Sequence, residues 1–379
     1  MIRSAWDLRL FALVSSMSHA GACSSSTPHM TTDLSSPLPR MAACRFETSV
    51  AHDADEQARN LHGWTQTYDQ LTAGRFVGRL TGLHLDDMHV FCETTSQTLR
   101  QTCEVPSDAY WFGIPADDQR VGRIGPQPIG GDSLAFQRGG VEFELLTPGG
   151  YAIFGVVVRG EVLHRHAEFV EHADRIGRAA IGRAAIGRAA IGQAAHTGII
   201  PIDTQNKSRF CALLAGMLDD AANAALSERA RRNLQASVLS SLFELCTTAS
   251  LEPVAIPARP RRQWIVSEAR DYVLANRDRP IGVPELCERL HVSRRTLQYC
   301  FQDVLGLAPA SYLRAIRLNG ARRDLCDAAP GERTVQDVAA AWGFWHLSQF
   351  ATDYRKLFGV RPSETLKTIH ATASAPLAH

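Results

Sequence analysis

Several signatures are missing from this 379-residue chain. Its nine cysteines include no Cys-x-x-Cys pair, and an odd, scattered set argues against both a disulfide framework and a structural zinc site of that kind. No stretch of about 18 uninterrupted apolar residues is present, which excludes a membrane-spanning helix. Gly-x-Ser-x-Gly, a phosphate loop and a dinucleotide fingerprint are all absent, so nucleophilic catalysis and nucleotide hydrolysis lack support and the chain reads as a non-enzyme. Net charge is also nearly absent, at +1. That sum hides an asymmetry. Residues 258–370 carry 18 Lys+Arg against 12 Asp+Glu, or +6, which leaves 22 against 27, or −5, elsewhere. A basic C-terminal module joined to a mildly acidic N-terminal one suits a nucleic-acid reader with a regulatory domain.

The opening residues, with Arg3, the run Leu8–Val14 and Ala20-Gly21-Ala22-Cys23, superficially follow a lipoprotein signal. Asp7 and Arg9 flank or break the apolar run, and Ala20 stands where Leu is expected. Residues 1–45, rich in Ser, Thr and Pro, are therefore expected to be disordered, and the protein to be cytoplasmic.

The expected fold class is α+β and multidomain: a β-rich barrel or sandwich over 46–175, a helical pair, and an all-α C-terminal domain. Short strand patterns fall at Phe76–Leu85, His89–Glu93 and Ala109–Ile114. Val141–Leu145, the turn Thr147-Pro148-Gly149-Gly150 and Tyr151–Val158 read as a hairpin. Residues 176–195 repeat Ile-Gly-Arg-Ala-Ala three times and then Ile-Gly-Gln-Ala-Ala. A five-residue period gathers no buried face in helix or strand, so 176–200 is expected to be a low-complexity linker. Helical periodicity follows over 201–250, through Phe210, Leu213, Leu214, Met217 and Leu218, then Leu234, Val238, Leu242 and Leu245. These helices serve either as packing for the β domain or as a homodimer seam. Pro253, Pro257 and Pro260 mark a linker at 251–262, and residues 371–379 read as a disordered tail.

The informative region is a duplication within the expected DNA-binding domain at 263–370. In its first copy Leu286, Cys287 and Leu290 line a short helix with Pro284 in the first turn, where a missing N–H costs little. Ser293 then caps a second helix with Leu297, Phe301 and Val304 inward. The second copy opens with Thr334 and Asp337, an approximate capping box, followed by Val338, Ala339 and Trp342. Its next helix turns Phe350, Tyr354 and Leu357 inward. Gly306-x-x-Pro309 recurs as Gly359-x-x-Pro362 at an offset of 53, and a long helix from about Ala310 to Asp327 joins the copies.

These residues resemble the AraC/XylS-type family of bacterial regulators over about 100 residues. The resemblance rests on Val292–Leu297, Phe301, Gly306-x-x-Pro309, Tyr312-Leu313, Arg317-Leu318, Val338-Ala339, Trp342-Gly343-Phe344, Phe350, Phe358-Gly359 and Pro362-Ser363. Within the family, Trp342-Gly343-Phe344-Trp345-His346 and Arg294–Tyr299 look most like the ethanolamine-utilisation regulator, and Trp64–Leu71 is similar to it more weakly. The resemblance implies an effector-responsive activator of a catabolic operon. Its implied partners are double-stranded DNA, RNA polymerase and a small effector such as an amino alcohol, with adenosylcobalamin as a co-effector.

With Leu297 and Phe301 inward, Arg295, Gln298, Tyr299 and Gln302 share the opposite face at i, i+3, i+4 and i+7. Arg294 and Thr296 flank it. Arg pairs with guanine O6 and N7, and Gln with adenine N6 and N7, each worth about 1–3 kcal/mol of discrimination. The second copy offers Leu347, Ser348, Ala351, Thr352 and Arg355, a face poorer in donors. Arg314, Arg322, Arg323 and Lys356 are candidate phosphate partners, to be weighed against a solvated helix face. Trp64, Tyr68, Phe91, Trp111, Phe136 and Phe143 are candidates for an effector pocket, set against plain core packing.

One metal pattern stands apart. His164-x-His166 with Glu171 follows the ligand spacing of cupin metal sites, which raises the alternative of a cupin-like enzyme domain fused to the DNA-binding module. The downstream Gly-rich segment and third histidine of such sites are missing, so no metal ligand is assigned.

Overall fold

The computed structural model describes residues 45–176, 197–219, 226–247, 260–329 and 331–373. The segments read as disordered or low-complexity at 1–44, 177–196, 251–259 and 374–379 lie outside the described residues.

The N-terminal half is built from twelve described strands in two sheets. They are β1 (Arg45–Ala51), β2 (Thr65–Gln70), β3 (Gly78–Leu85), β4 (Met88–Thr95), β5 (Leu99–Glu104), β6 (Ala109–Pro115), β7 (Gly122–Ile124), β8 (Gln127–Ile129), β9 (Ser133–Arg138), β10 (Glu142–Thr147), β11 (Tyr151–Arg159) and β12 (Thr197–Pro201). A seven-stranded sheet runs β1-β3-β4-β11-β6-β9-β12, and a five-stranded sheet runs β2-β5-β10-β7-β8. The architecture is therefore an open sandwich rather than a closed barrel. A short helix α1 (Ala54–Arg59) follows β1, capped by the Asp53 carboxylate.

Strand alternation sorts the core. Leu80, Phe91, Leu99, Trp111, Phe143, Tyr151 and Ile153 fill the space between the sheets. Leu83, Val90, Phe112, Phe154 and Val156 turn the other way, onto helices α2 (Gly160–Ile176), α3 (Thr204–Asp219) and α4 (Glu228–Thr247). Phe210, Leu214, Met217, Leu218, Val238, Leu242 and Leu245 are all buried in that layer. Most of the apolar faces of α3 and α4 therefore pack onto the sandwich, with Leu213 and Leu234 half-buried at the edge of that layer.

Four expectations need correction. The expected hairpin does not form: β10 pairs with β5 and β7, whereas β11 pairs with β4 and β6 of the other sheet. Gly149 and Gly150 carry the chain between sheets. Gly150 takes φ +68° and its N–H bonds Thr95 O at 2.8 Å, so the turn is held by the β4 end rather than by its own strands. Residues 197–200, assigned to the linker, belong to β12 and pair with β9. Pro260 to Arg262, also assigned to a linker, open helix α5, where Pro is tolerated in the first turn; at the other end, the last helix runs past 370 to Ala373.

The C-terminal half holds α5 (Pro260–Ala275), α6 (Val283–Arg289), α7 (Arg294–Leu305), α8 (Pro309–Asp327), α9 (Val335–Ala341), α10 (Leu347–Phe358) and α11 (Pro362–Ala373). Helix α8 is the shared spine, burying Tyr312, Leu313, Ile316, Leu318, Ala321 and Leu325. Trp342 lies directly on Gly320, where a Cβ would fall 2.0 Å from the indole ring. The indole Nε1 donates to Asp324 at 2.9 Å, and Arg277 covers the ring at 5.1 Å.

The two halves meet along β2 and the residues that follow it. The Asn319 side chain bonds the Gln70 backbone, and Gln70 Nε2 and Gly74 N both donate to Leu357 O, at 2.7 and 2.9 Å. Charge flanks this seam. Arg323 reaches Asp55 at 2.9 Å, Asp69 at 2.5 Å and Tyr68 O at 2.9 Å, while Arg322 pairs with Asp53.

Candidate nucleic-acid interface

Two helix pairs, α6 with α7 and α9 with α10, repeat one geometry. Helices α7 and α10 are each 12 residues long and begin 53 positions apart, at Arg294 and Leu347. Each ends on a left-handed glycine, Gly306 (φ 68°) and Gly359 (φ 72°), whose N–H closes onto Gln302 O and Arg355 O. The capping is as the sequence predicts. Ser293 Oγ accepts from Thr296 N at 3.1 Å, and Thr334 and Asp337 form a reciprocal capping box. The turns diverge in length, four residues against five, yet share one left-handed position, His291 (φ 51°) and Gly343 (φ 71°).

This local geometry decides which side chains are presented. Leu297, Cys300, Phe301 and Val304 are buried on one side of α7. Arg294, Arg295, Thr296, Gln298, Tyr299 and Gln302 are all exposed on the other. Arg262 stacks over the Tyr299 ring at 4.6 Å and pairs with Asp303 at 3.1 Å, which braces the C-terminal part of that face. On α10, Phe350, Tyr354, Leu357 and Phe358 are buried. Leu347, Ser348, Thr352 and Arg355 are exposed and Ala351 is half-buried. Thr352 Oγ1 donates to Ser348 O at 2.9 Å, so part of the polar capacity of this face is already used.

Beside α10 runs an open groove of about 610 Å³, lined by Leu347, Ala351, Thr352, Arg355, Lys356, Arg361 and Ser363 among others. Three cations and two hydroxyls around a groove at the start of α11 suit a phosphate backbone. Sequence reasoning used Arg361 and Ser363 only as part of a helix stop. It named Trp345 only within the family motif and not as a site residue, yet this side chain is 74% exposed in the second turn. Its signal was available: at the offset of 53 Trp345 corresponds to Val292, an aromatic placed where the first copy has a small apolar residue.

The four candidate phosphate cations separate. Lys356 is exposed, and Arg314 is 57% exposed with Asp353 at 3.6 Å. Arg322 and Arg323 do not face solvent as a basic stripe. Their guanidinium groups are held by Asp53, Asp55 and Asp69 of the β half, which removes them from the DNA-facing set.

In the sandwich, Trp64 meets Phe91, Trp111 and Phe143 at ring-centroid distances of 6.3, 6.0 and 6.4 Å. Tyr68 and Glu93 complete the wall of a cavity of only about 10 Å³. Phe136 does not join them, because it faces the helical layer and stacks on Phe112. Glu93 accepts from Gln57 Nε2 at 2.9 Å and from the Tyr68 hydroxyl at 3.2 Å. Burial nevertheless pushes its carboxyl up to about 7, with those two hydrogen bonds acting in the opposite direction.

His164 and His166 lie on helix α2, not on a strand. Side chains two apart diverge on a helix. His164 packs edge-on to Tyr110 and His166 against Phe243, so the cupin-like spacing does not make a ligand set. The side chain of Glu171 lies outside the described residues.

Comparison with known proteins agrees with this geometry. Residues 286–368 match a family model described as a helix-turn-helix domain. A probable thc operon regulatory protein of Rhodococcus erythropolis is 40% identical over 111 residues, 29% of this chain and 33% of that protein. A XylDLEGF operon transcriptional activator of Pseudomonas putida is 28% identical over 163 residues, 43% of this chain and 50% of that one. The chain thus spans a third to a half of the length of these relatives. Among solved structures, a probable AraC family transcriptional regulator from Rhodopseudomonas palustris is 37% identical, covering 28% of this chain and 96% of that one with a TM-score of 0.26. Residues 286–368 are a helix-turn-helix DNA-binding domain.

Proposed function

We propose that the chain is a sequence-specific transcription activator of a catabolic operon, responsive to a small effector and acting in the cytoplasm on double-stranded DNA with RNA polymerase. The observation that carries this reading is the pair of α7 and α10 faces, each exposed, on helices in the same frame about one spine. One chain then reaches two major-groove segments about one helical turn apart. Arg295 and Gln298 are the base readers of the first, with Arg294, Thr296, Tyr299 and Gln302 around them. Leu347, Ser348, Ala351, Thr352 and Arg355 form the second, looser reader. The names of the relatives, operon regulators both, support the same reading.

Quantitative footprinting on operator DNA against random DNA tests it. Replacing Arg295 and Gln298 by Ala is expected to remove about 2–6 kcal/mol of discrimination at their bases. Unchanged discrimination in the folded double variant would overturn the assignment of α7.

The sandwich interior supports an effector that is a small organic cation. Trp64, Tyr68, Phe91 and Trp111 line one cavity with the buried Glu93 carboxylate, and Trp111 Nε1 has no hydrogen-bond partner among the described residues. An amino alcohol places its ammonium at Glu93 and its hydroxyl at that indole. Trp64, half-buried at the rim, must swing out to admit it. This chemistry is compatible with the ethanolamine-type resemblance, which also implies adenosylcobalamin as a co-effector. Thermal melting of the full chain with small amines, and with isosteric neutral alcohols, separates a cation site from a packed core.

A further inference from the structure

A second site lies at the end of the seven-stranded sheet, where the His89 ring packs 5.1 Å from Phe91, a wall of the aromatic cavity. Glu47 of β1, His84 of β3 and His89 of β4 project from one face, because Glu47 is the register partner of Gly82 and His84 that of His89. One potential ligand atom from each lies within 4.8 Å of the others. His84 Nε2 is 2.9 Å from Glu47 Oε1, and the two imidazoles stack at 3.8 Å. His62, after α1, brings its Nε2 within 4.0 Å of the other carboxylate oxygen, Oε2.

The packing opens this space. His89 Nε2 points at Gly82, where a Cβ would stand 2.7 Å from it and 3.5 Å from the Glu47 side chain. Any other residue at 82 closes the gap between the histidine and the carboxylate. His89 is 8% exposed, and its Nε2 is buried with no hydrogen-bond partner among the described residues, as is His84 Nδ1. A buried ring nitrogen left unpaired loses its hydration without replacement, which calls for a ligand there.

We propose that Glu47, His84 and His89, with His62 at the mouth, bind one divalent transition-metal ion of the zinc class. Two nitrogens and one carboxylate oxygen are a borderline donor set, suited to zinc and not to magnesium or calcium, which take oxygen. Ligands about 2.1 Å from one ion sit roughly 3–3.5 Å apart, so small rotations of the side chains suffice. The ion replaces the His84–Glu47 hydrogen bond and ties β1 to the β3–β4 hairpin. Nothing in this assignment depends on the DNA-binding reading.

The test uses the full chain, stripped with chelator and titrated with Co²⁺, with Zn²⁺ as competitor and Mg²⁺ as the hard-cation control. The expected result is one Co²⁺ per chain, with visible ligand-field bands and no thiolate charge-transfer band, displaced by Zn²⁺ and untouched by Mg²⁺. The pair Glu47→Gln and His89→Gln is expected to weaken binding by more than about 100-fold, above the range for outer-sphere partners. His164→Ala with His166→Ala should leave it unchanged. Equal binding in the first pair of variants, or none in the wild type, would overturn the proposal. If those variants do not fold, X-ray absorption of the zinc-loaded wild type decides: two or more imidazoles support the site, and sulfur or fewer imidazoles sink it.

Discussion

Asn319, in the middle of helix α8, treats Gln70 as a neighbouring strand would. Its Oδ1 accepts from Gln70 N at 2.9 Å and its Nδ2 donates to Gln70 O at 2.9 Å, across 249 residues of sequence. Asn319 is 2% exposed and Gln70 is 1% exposed, so no water replaces either bond. The spine that both helix-turn-helix units share is thereby tied to the end of β2. Effector-driven change in the sandwich reaches the DNA-binding half through this contact only if the two ligand states differ in it.

Asn319→Ala leaves the Gln70 N–H and C=O unpaired in the seam. At about 1–3 kcal/mol for each buried group, the loss is expected to be roughly 2–5 kcal/mol. Denaturant melts of the full chain, followed by tryptophan fluorescence and by far-UV dichroism, check this. Loss of coincidence between the two probes would show that the halves have uncoupled.

Arg323 and Lys356 should behave oppositely. Arg323→Ala leaves Asp55 without its arginine and Asp69 with Arg100 alone, at 3.4 Å, and is expected to destabilise the fold by about 1–3 kcal/mol. Its effect on the salt dependence of DNA binding should be nil. Lys356→Ala is expected to leave stability alone and to lower the slope of log K against log salt by about 1. Binding titrations from low to high salt distinguish the two, and a shallower slope for Arg323→Ala would contradict its place in the seam.

How much of this was legible follows from where each determinant lies. The duplication was readable because it is local: caps, the Gly-x-x-Pro stops and the inward residues Leu297, Phe301, Phe350 and Tyr354 each follow from a few adjacent positions. The exposed faces of α7 and α10 came with them. What failed was long-range. Nothing near Arg322 or Arg323 announces Asp53, Asp55 and Asp69, more than 250 residues away. Likewise Val141–Val158 has the pattern of a hairpin, and only pairing with β4 and β6 shows that β11 leaves its neighbour. The Glu47–His84–His89 cluster was invisible for the same reason, since register across three strands assembles it. His164-x-His166 was the reverse error, a strand-type spacing lying on a helix.

Glu93 gives a pH signature. Its folded value near 7 stands above the ordinary 4.5 of a glutamate, chiefly through burial. The folded state therefore favours the protonated carboxyl. Its contribution to stability is fully present below about pH 4.5 and is lost as pH rises through 7. Glu93→Gln is expected to keep the Tyr68 and Gln57 contacts while removing the charge, and so to melt higher than wild type at pH 8 by about 1–3 kcal/mol, with the difference vanishing near pH 5. An organic cation should bind the wild type more tightly as pH rises through 7 and should ignore the variant. Parallel melting curves for the two proteins across this range would show that Glu93 does not titrate there.

His291 offers a stabilising change. It is the one non-glycine residue with positive φ among the described residues, at 51°, and its counterpart in the second turn is Gly343 at 71°. An L-residue in this region carries about 1–2 kcal/mol of strain, against roughly 0.5–1 kcal/mol of extra chain entropy lost by glycine. His291→Gly is therefore expected to raise stability by up to about 1 kcal/mol, and His291→Asn to do as well, because Asn tolerates the left-handed region. The side chain is exposed, so no packing offsets the gain. Gly343→Ala should go the other way by more than that amount, since its Cβ would stand 3.0 Å from the backbone of Arg277 and Arg279 in addition to the strain. Equal melting temperatures for His291→Gly and wild type would mean that strain and entropy balance at this turn. A lower one would mean that the His291 ring makes a contact that matters more than the backbone it sits on.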